Sequence, residues 1–376
     1  MSILKNCLHA ARAILDAGFL TGLFLLPHSA MAQSWQVEWD RALEAAKKEG
    51  KVVIGVQPGP EIRAGLEKRW AERFKGIELE LRPGSSSVTA NRIASEHKAG
   101  AQSYDVFFGS GSALALAADK VLDPFEPFMI RPEIRDSKNW FGGHIWADNV
   151  TTKRFIYTFH AYLTEAGYYN PDLLKPEEIR SYDDLLNPKW KGKIGIFEPR
   201  VQGAGQAIWL YLWKVKGESF LKRLVEQDLL VSADHRQLGD LLAKGRLALS
   251  MGPTYYTLLP YLQAGIPLKP LPTPKEGIHA TVGSGALSLV KNAPHPNAAK
   301  IFINWILSKE GQEIFGKATG QGSRRLDVDT NWLKEIGVQA AKDVLTVEEY
   351  LARESFFESG IPLRQPAVEL AKRLLK

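Results

Sequence analysis

Three times in this chain a short apolar run ends in small polar residues that open a helix. Val106–Phe108 breaks into Gly109–Ser110–Gly111–Ser112 and continues as an Ala/Leu helix towards Leu122. Leu79–Leu81 leads into Gly84–Ser85–Ser86–Ser87, ahead of a helix from about Val88. Ile194–Phe197 leads into Gln202–Gly203–Ala204–Gly205–Gln206, ahead of a helix through Trp209 and Leu212. Helix starts leave backbone N–H groups unpaired, at the positive end of the helix dipole, and so suit an anion. Open α/β sheets bind ligands at the carboxyl ends of their strands, where such turns gather. Small residues also cap ordinary helices, so a single turn of this kind says little. Three of them, spread over both halves of the chain, point to one shared anion site. Its candidate donors are Ser85, Ser86, Ser110, Gly111, Ser112, Gln202, Gly203 and Gly205.

The order of elements supports that frame. Ser34 is placed to cap a first helix that Gly50 closes, and Lys51–Val56 reads as the first strand. Ile62, Leu66, Trp70 and Phe74 recur every four residues and mark one face of an amphipathic helix. With Ile77–Leu81 and Val106–Phe108 this makes β-α-β-α-β, a parallel sheet with helices on both faces. Phe155–Tyr162 reads as one longer strand that carries the chain into a second lobe. That lobe resumes the alternation, with strands at 193–197, 229–231 and 247–251 followed by helices at 203–215, 235–244 and 254–264. The return strand lies near Ala286–Val290, and helices from 297 pack back on the first lobe. The fold class is α/β, as two doubly wound lobes joined by a two-strand hinge. The first lobe takes residues 33–148 and 284–376, and the second takes 149–283.

Residues 1–32 read as a cleaved export signal. Lys5 and Arg12 give a basic start, Ala17–Leu26 a short apolar stretch and Ala30–Met31–Ala32 a cleavage site, so the mature chain starts at about Gln33. The apolar stretch is too short to span a bilayer. Cys7, the one cysteine, lies in the signal, which leaves the mature chain without a disulfide, a thiolate metal site or a cysteine nucleophile. The net charge of +6 is scattered, which argues for a mixed solvated surface rather than nucleic-acid binding.

Enzyme motifs are absent. There is no G-x-S-x-G, P-loop or H-E-x-x-H, and Gly109-x-Gly111 lacks the third glycine of a dinucleotide fingerprint. The eight histidines show no metal-ligand spacing. Glu177–Glu178 and Asp183–Asp184 stand at helix starts, where they complement the dipole. Tyr255–Tyr256 follows a strand and opens a helix. Two phenols there could hold a ferric ion or contact an organic ligand, or one ring could sit in the core and one at the surface. Arg200 and Arg236 lie beside ligand-facing turns, where each could grip a carboxylate or phosphate or simply be a surface residue.

Several longer stretches together resemble a family. They are YNPDLLKPEEI from Tyr169, SYDDLLNPKWKGKI from Ser181, HPNAAKIFINWILSKEGQEIF from His295 and GSRRLD from Gly322. They are similar to ABC-transporter extracellular solute-binding proteins of the ferric-iron-type branch, with the type 2 periplasmic binding fold. The resemblance covers nearly all of the mature chain. It implies two lobes that close on a solute and deliver it to a pair of membrane permease subunits driven by an ATPase. It also implies a periplasmic location and no membrane contact except through the permease; a monomer is expected. Iron-binding members use adjacent tyrosines of the second lobe, which Tyr255 and Tyr256 match, plus a histidine, tyrosine or carboxylate after the first strand. Here that place reads Gln57–Pro58–Gly59–Pro60–Glu61, so the iron set is incomplete unless an exogenous anion fills it.

The expectation is therefore a non-enzymatic carrier of a small anionic organic solute, with no cofactor. Tyr255 and Tyr256 would contact the solute's body and Arg236 would add a counter-charge. The alternative is ferric iron on the two tyrosines. A secreted hydrolase of the same shape would need a nucleophile–base pair across the cleft, and none stands at recognisable spacing.

Overall fold

The computed structural model describes residues 27–375. The basic and apolar parts of the expected signal lie outside the described residues. The first helix, Pro27–Glu49, begins ahead of Ser34, so Ser34 does not cap it.

The first lobe follows with β1 (Lys51–Val56), the helix Pro60–Arg73, β2 (Glu78–Pro83), the helix Ser86–Lys98, β3 (Val106–Phe108), the helix Gly111–Ala118, β4 (Leu122–Asp123) and β5 (Ile156–Thr158). Ile54 of β1 pairs in parallel with Leu81 on one side and Val106 on the other, as the β-α-β-α-β pattern requires. The strands alternate between two cores. Val52, Ile54 and Val56 pack with Trp70, Phe302 and Trp305, while Val53 faces Tyr104 and Phe107. The stripe Ile62, Leu66, Trp70 is buried as its spacing demands, and the Trp70 ring lies 4.4 Å from Phe74 and 5.4 Å from Trp305.

The chain then leaves through β6 (Tyr162–Leu163). The second lobe holds β7 (Tyr168–Tyr169), β8 (Ile194–Phe197), the helix Ala204–Val225, β9 (Leu230–Ser232), the helix His235–Ala243, β10 (Leu249–Met251), the helix Tyr255–Gln263 and β11 (Lys269–Pro270). Its sheet runs β11-β7-β10-β8-β9, with the last three strands parallel. Gly217, at φ 80°, breaks the helix Ala204–Val225 into two segments.

The return is through β12 (Ala280–Thr281) and β13 (Ala286–Val290). The outgoing and returning segments run side by side and antiparallel: Leu163 pairs with Ala280, and Thr158 with Ala286. The expected single strand Phe155–Tyr162 is interrupted at 159–161, because β5 belongs to the first-lobe sheet and β6 to a separate three-stranded sheet. At the break the amides of Phe159 and His160 both donate to Gly285 O, at 2.7 and 3.2 Å. A Cβ on Gly285 would lie 2.1 Å from that of His160, so only glycine allows this approach.

The helices Pro296–Ile306 and Lys309–Thr319 return to the first lobe, where Phe302 meets Trp70 at 5.7 Å and Phe315 meets Phe108 at 5.1 Å. The rest of the C-terminal segment departs from the expected boundary. β14 (Gln339–Ala340) joins the three-stranded hinge sheet beside β6. After the helix Val347–Arg353, the helix Ile361–Leu374 buries Ala367, Leu370 and Ala371 against the second lobe. There the Trp209 indole donates to Ala367 O at 3.1 Å. This last helix packs along the helix Ala204–Val225, so the chain crosses between lobes once more. No helix among the described residues is long and apolar enough to cross a membrane.

Candidate functional site

A cleft of about 1260 Å³ lies between the lobes. Every parallel strand that leads into a helix delivers that helix's first residues to it. Six helices start there: those opening at Pro60, Ser86, Gly111, Ala204, His235 and Tyr255. Two of these starts are already satisfied by side chains. Ser85 Oγ accepts from Val88 N at 3.4 Å, and the Asp234 carboxylate accepts from Arg236 N and Gln237 N at 2.8 and 3.4 Å. The other four, behind Gly59, Ser110, Gly203 and Thr254, carry no side-chain cap. Their first-turn N–H groups are left for something in the cleft.

The side chains repeat that pattern. Gln57 Nε2, Ser112 Oγ, His235 Nδ1, Thr254 Oγ1 and His279 Nδ1 belong to cleft-lining residues, and each is buried without a protein hydrogen-bond partner. Unpartnered buried polar atoms are costly and uncommon, and a ligand or water in the cleft supplies what they lack. Burial pushes the His235 and His279 imidazoles down to about 4, so both are neutral hydrogen-bonding groups at pH 7. His235 stacks on Phe197 with ring centroids 3.7 Å apart. Among the described residues Arg236 is the one lysine or arginine lining the cleft, and it is exposed there. The Glu165 carboxyl lines the hinge side, and burial pushes it up to about 7. Burial also raises the Tyr256 phenol, helped by the charge of Glu165.

The lobes touch on both flanks of the cleft. Gln202 of the second lobe lies so close to Gly111 of the first that a Cβ there would be 1.7 Å from its Nε2. On the other flank Gln263 Nε2 donates to Glu61 Oε1 at 3.1 Å. The arrangement is a closed one, with a ligand volume walled by both lobes.

Ser85, Ser86, Ser110, Gly111, Ser112, Gln202, Gly203, Arg236 and Tyr256 all line this cleft. Two candidates do not. Gly205 sits beneath the end of β8, where a Cβ would lie 2.0 Å from Phe197 O; its role is to let the helix start close against the strand. Tyr255 turns away and covers Gly320, whose Cβ position is 2.5 Å from the Tyr255 ring. The two adjacent tyrosines leave the helix start in different directions, about 100° apart, Tyr256 to the cleft and Tyr255 to Gly320. Arg200 is committed elsewhere: it grips Glu198 through Nε and Nη2 at 2.7 Å each and donates to Leu375 O at 3.0 Å. Glu178 and Asp184 accept from the backbone amides of short helical turns, as their placement suggested. The sequence reading missed Gln57, Glu165, His235, His279, Gln321 and Phe356. Of these, Glu165 leaves a signal, an acid inside the otherwise apolar run that carries β6 and β7.

The fold and this two-lobed cleft define a solute-binding protein. Residues 55–313, more than half of the chain, match the family of bacterial extracellular solute-binding proteins, and the chain belongs to that family. A curated relative is the Fe(3+)-binding periplasmic protein of Serratia marcescens, 24% identical over 293 residues, which span 73% of this chain and 78% of the relative. The substrate-binding protein of an ABC transporter from Agrobacterium tumefaciens superposes with a TM-score of 0.66 at 14% identity, over 88% of this chain and 96% of that one. The periplasmic binding protein AfuA from Actinobacillus pleuropneumoniae, solved with fructose-6-phosphate, superposes at 0.63 with 19% identity, over 86% and 99%. These structures share the type 2 periplasmic binding fold with this chain.

Proposed function

We propose that the protein captures a small organic anion from the periplasm and hands it to an ABC permease. The observation that carries this is the set of four uncapped helix starts around one cleft, with Ser112 Oγ unpartnered among them. Open N–H groups at positive dipole ends favour negative charge, and Arg236, the one lysine or arginine lining the cleft among the described residues, adds a counter-charge. A cleft of about 1260 Å³ suits an organic molecule far better than a bare ion. Tyr256, Phe356 and the stacked Phe197–His235 pair supply surfaces for its body. Export through the N-terminal signal, action as a monomer and the absence of any catalytic step or resident cofactor belong to the same reading.

A thermal-shift panel of carboxylates, phosphate esters and phosphonates tests it, because a ligand of the folded state raises the melting temperature. The best anion of the panel is expected to bind Ser112→Ala about tenfold more weakly, the loss of one hydrogen bond to a charged group. Unchanged affinity in that variant would remove the anion site from the first-lobe helix start. The ferric reading is supported by the Tyr256 phenol in the cleft and by the likeness to the Fe(3+)-binding periplasmic protein of Serratia marcescens. No group of three or more His, Cys, Asp or Glu residues suited to a metal stands among the described residues. A visible tyrosinate-to-iron absorbance band on adding ferric citrate, abolished by a chelator, would replace the organic anion with iron.

A further inference from the structure

We propose that the solute carries a positively charged nitrogen as well as its anionic group, and that Glu165 is the partner of that nitrogen. The inference rests on the anion reading above and narrows it to zwitterionic solutes.

Glu165 lies just past β6, on the hinge side of the cleft, and is 8% exposed. Its carboxylate accepts from its neighbour, Thr164 Oγ1, at 3.0 Å, and from its own backbone amide. Among the described residues no lysine, arginine or histidine forms an ion pair with it, whereas Glu80, Glu198, Glu276 and Glu310 each have at least one such partner. The ionisable groups facing it are phenols: Tyr162 and Tyr256 in the cleft and Tyr168 behind them. On its far side the turn at Gly337 closes the corner, with the Cβ position there 3.7 Å from that of Glu165.

A buried carboxylate with no counter-ion is strongly unfavourable, and a simple anion entering beside it adds repulsion. A solute that brings its own ammonium or quaternary nitrogen reverses both effects. The carboxylate gains a cation, and neighbouring phenol rings offer their electron-rich faces to it. The same carboxylate then rejects anions that lack the nitrogen, so one residue gives both attraction and selectivity.

Matched pairs that differ only in the nitrogen test this: phosphoethanolamine against ethyl phosphate, γ-aminobutyrate against butyrate, and taurine against ethanesulfonate. Calorimetric titration of the full-length mature protein is expected to show the nitrogen-bearing member of at least one pair binding about tenfold more tightly, the scale of one charge-assisted hydrogen bond. Glu165→Gln keeps the shape and removes the charge, and should bring the pair to near equality. Glu165→Asp keeps the charge and should keep the preference, which guards against a glutamine variant that does not fold. If simple anions bind as well as their amino partners, or Glu165→Gln keeps the preference, the zwitterion inference is wrong and the anion reading stands. If no member of any pair binds the wild type, the anion reading fails for these head groups and the inference falls with it.

Discussion

The helices Lys309–Thr319 and Gly111–Ala118 both start behind a serine, and the two serines do different things. Ser308, far from the cleft, turns its hydroxyl onto Gly311 N at 3.2 Å. Ser110, at the cleft, makes no such bond. The contrast extends to other helix ends. Thr346 and Glu349 cap the helix Val347–Arg353 reciprocally, and the Glu49 carboxylate takes the first amides of the helix Pro296–Ile306 at 3.1 and 2.8 Å. At these three ends, which serve only the fold, a side chain closes the helix. At the cleft, four ends of the same kind are left open, and buried side chains beside them lack partners too. The cleft therefore gathers open helix ends and unpartnered side chains around one volume, where a solute can satisfy them.

The largest expected effect tests the satisfied half of that contrast. Arg324 is 0% exposed and has no carboxylate partner; its guanidinium donates to Thr158 O and Phe141 O at 2.6 Å and also to Gly143 O. It thus binds the loop 141–143 to β5 at the base of the hinge. Arg324→Met leaves those carbonyls buried and unpaired, at about 1–3 kcal/mol each before relaxation. A loss of about 4 kcal/mol in denaturant unfolding is expected, at the severe end for a single substitution. A loss below about 1 kcal/mol would show that the carbonyls find other partners and that the arginine is not the staple.

Glu354 sharpens the comparison from another side. Like Glu165 it is buried and pushed up to about 7 by burial, but its oxygens are occupied, by Phe356 N at 2.7 Å and Tyr350 Oη at 3.3 Å. An ordinary unfolded glutamate titrates near ~4.3. Because the folded value is raised, the carboxyl's contribution to stability is full below about pH 4 and is lost as the pH rises through about 7. Glu354→Gln keeps an acceptor for Phe356 N and cannot ionise. The variant should match the wild type near pH 4 and be more stable by about 3 kcal/mol at pH 8. Parallel stability curves from pH 4 to 8 would mean that Glu354 is not held neutral in the fold.

Much of the architecture was legible in the sequence, because it rests on local patterns. The Ile62–Leu66–Trp70 stripe, the return strand Ala286–Val290 and the strand–turn–helix units depend on spacing alone, and spacing is written in the chain. The site was legible only where backbone position decides. Ser110, Gly111 and Ser112 must lie at the end of β3 wherever the rest of the chain goes. What the sequence hides is direction and distant partners. Ser308 and Ser110 are the same residue, but Ser308 is extended at φ −68° and ψ 164°, whereas Ser110 is helical at φ −89° and ψ −79°, and only the extended form aims its hydroxyl at its own helix. Tyr255 and Tyr256 look like a pair until the helix sends one to Gly320 and the other to the cleft. The path of the helix Ile361–Leu374 onto the second lobe depends on a match of apolar faces far apart in the chain.

The smallest expected effect is the most direct test of the two kinds of helix end. Ser308→Ala removes a true cap, and the helix Lys309–Thr319 loses the acceptor for Gly311 N. The cost is about 1 kcal/mol of stability, with no change in solute affinity. Ser112→Ala, at an open end, should behave in the opposite way. Its hydroxyl has no protein partner, so removing it leaves the melting temperature of the free protein unchanged or slightly raised, while affinity falls. Thermal melts of both variants with and without the best anion separate the two effects, since binding adds stability only through the folded state. If Ser112→Ala melted lower when free and bound as well as the wild type, the open ends would be structural after all. The distinction between ends that close on the protein and ends that wait for a solute would then collapse.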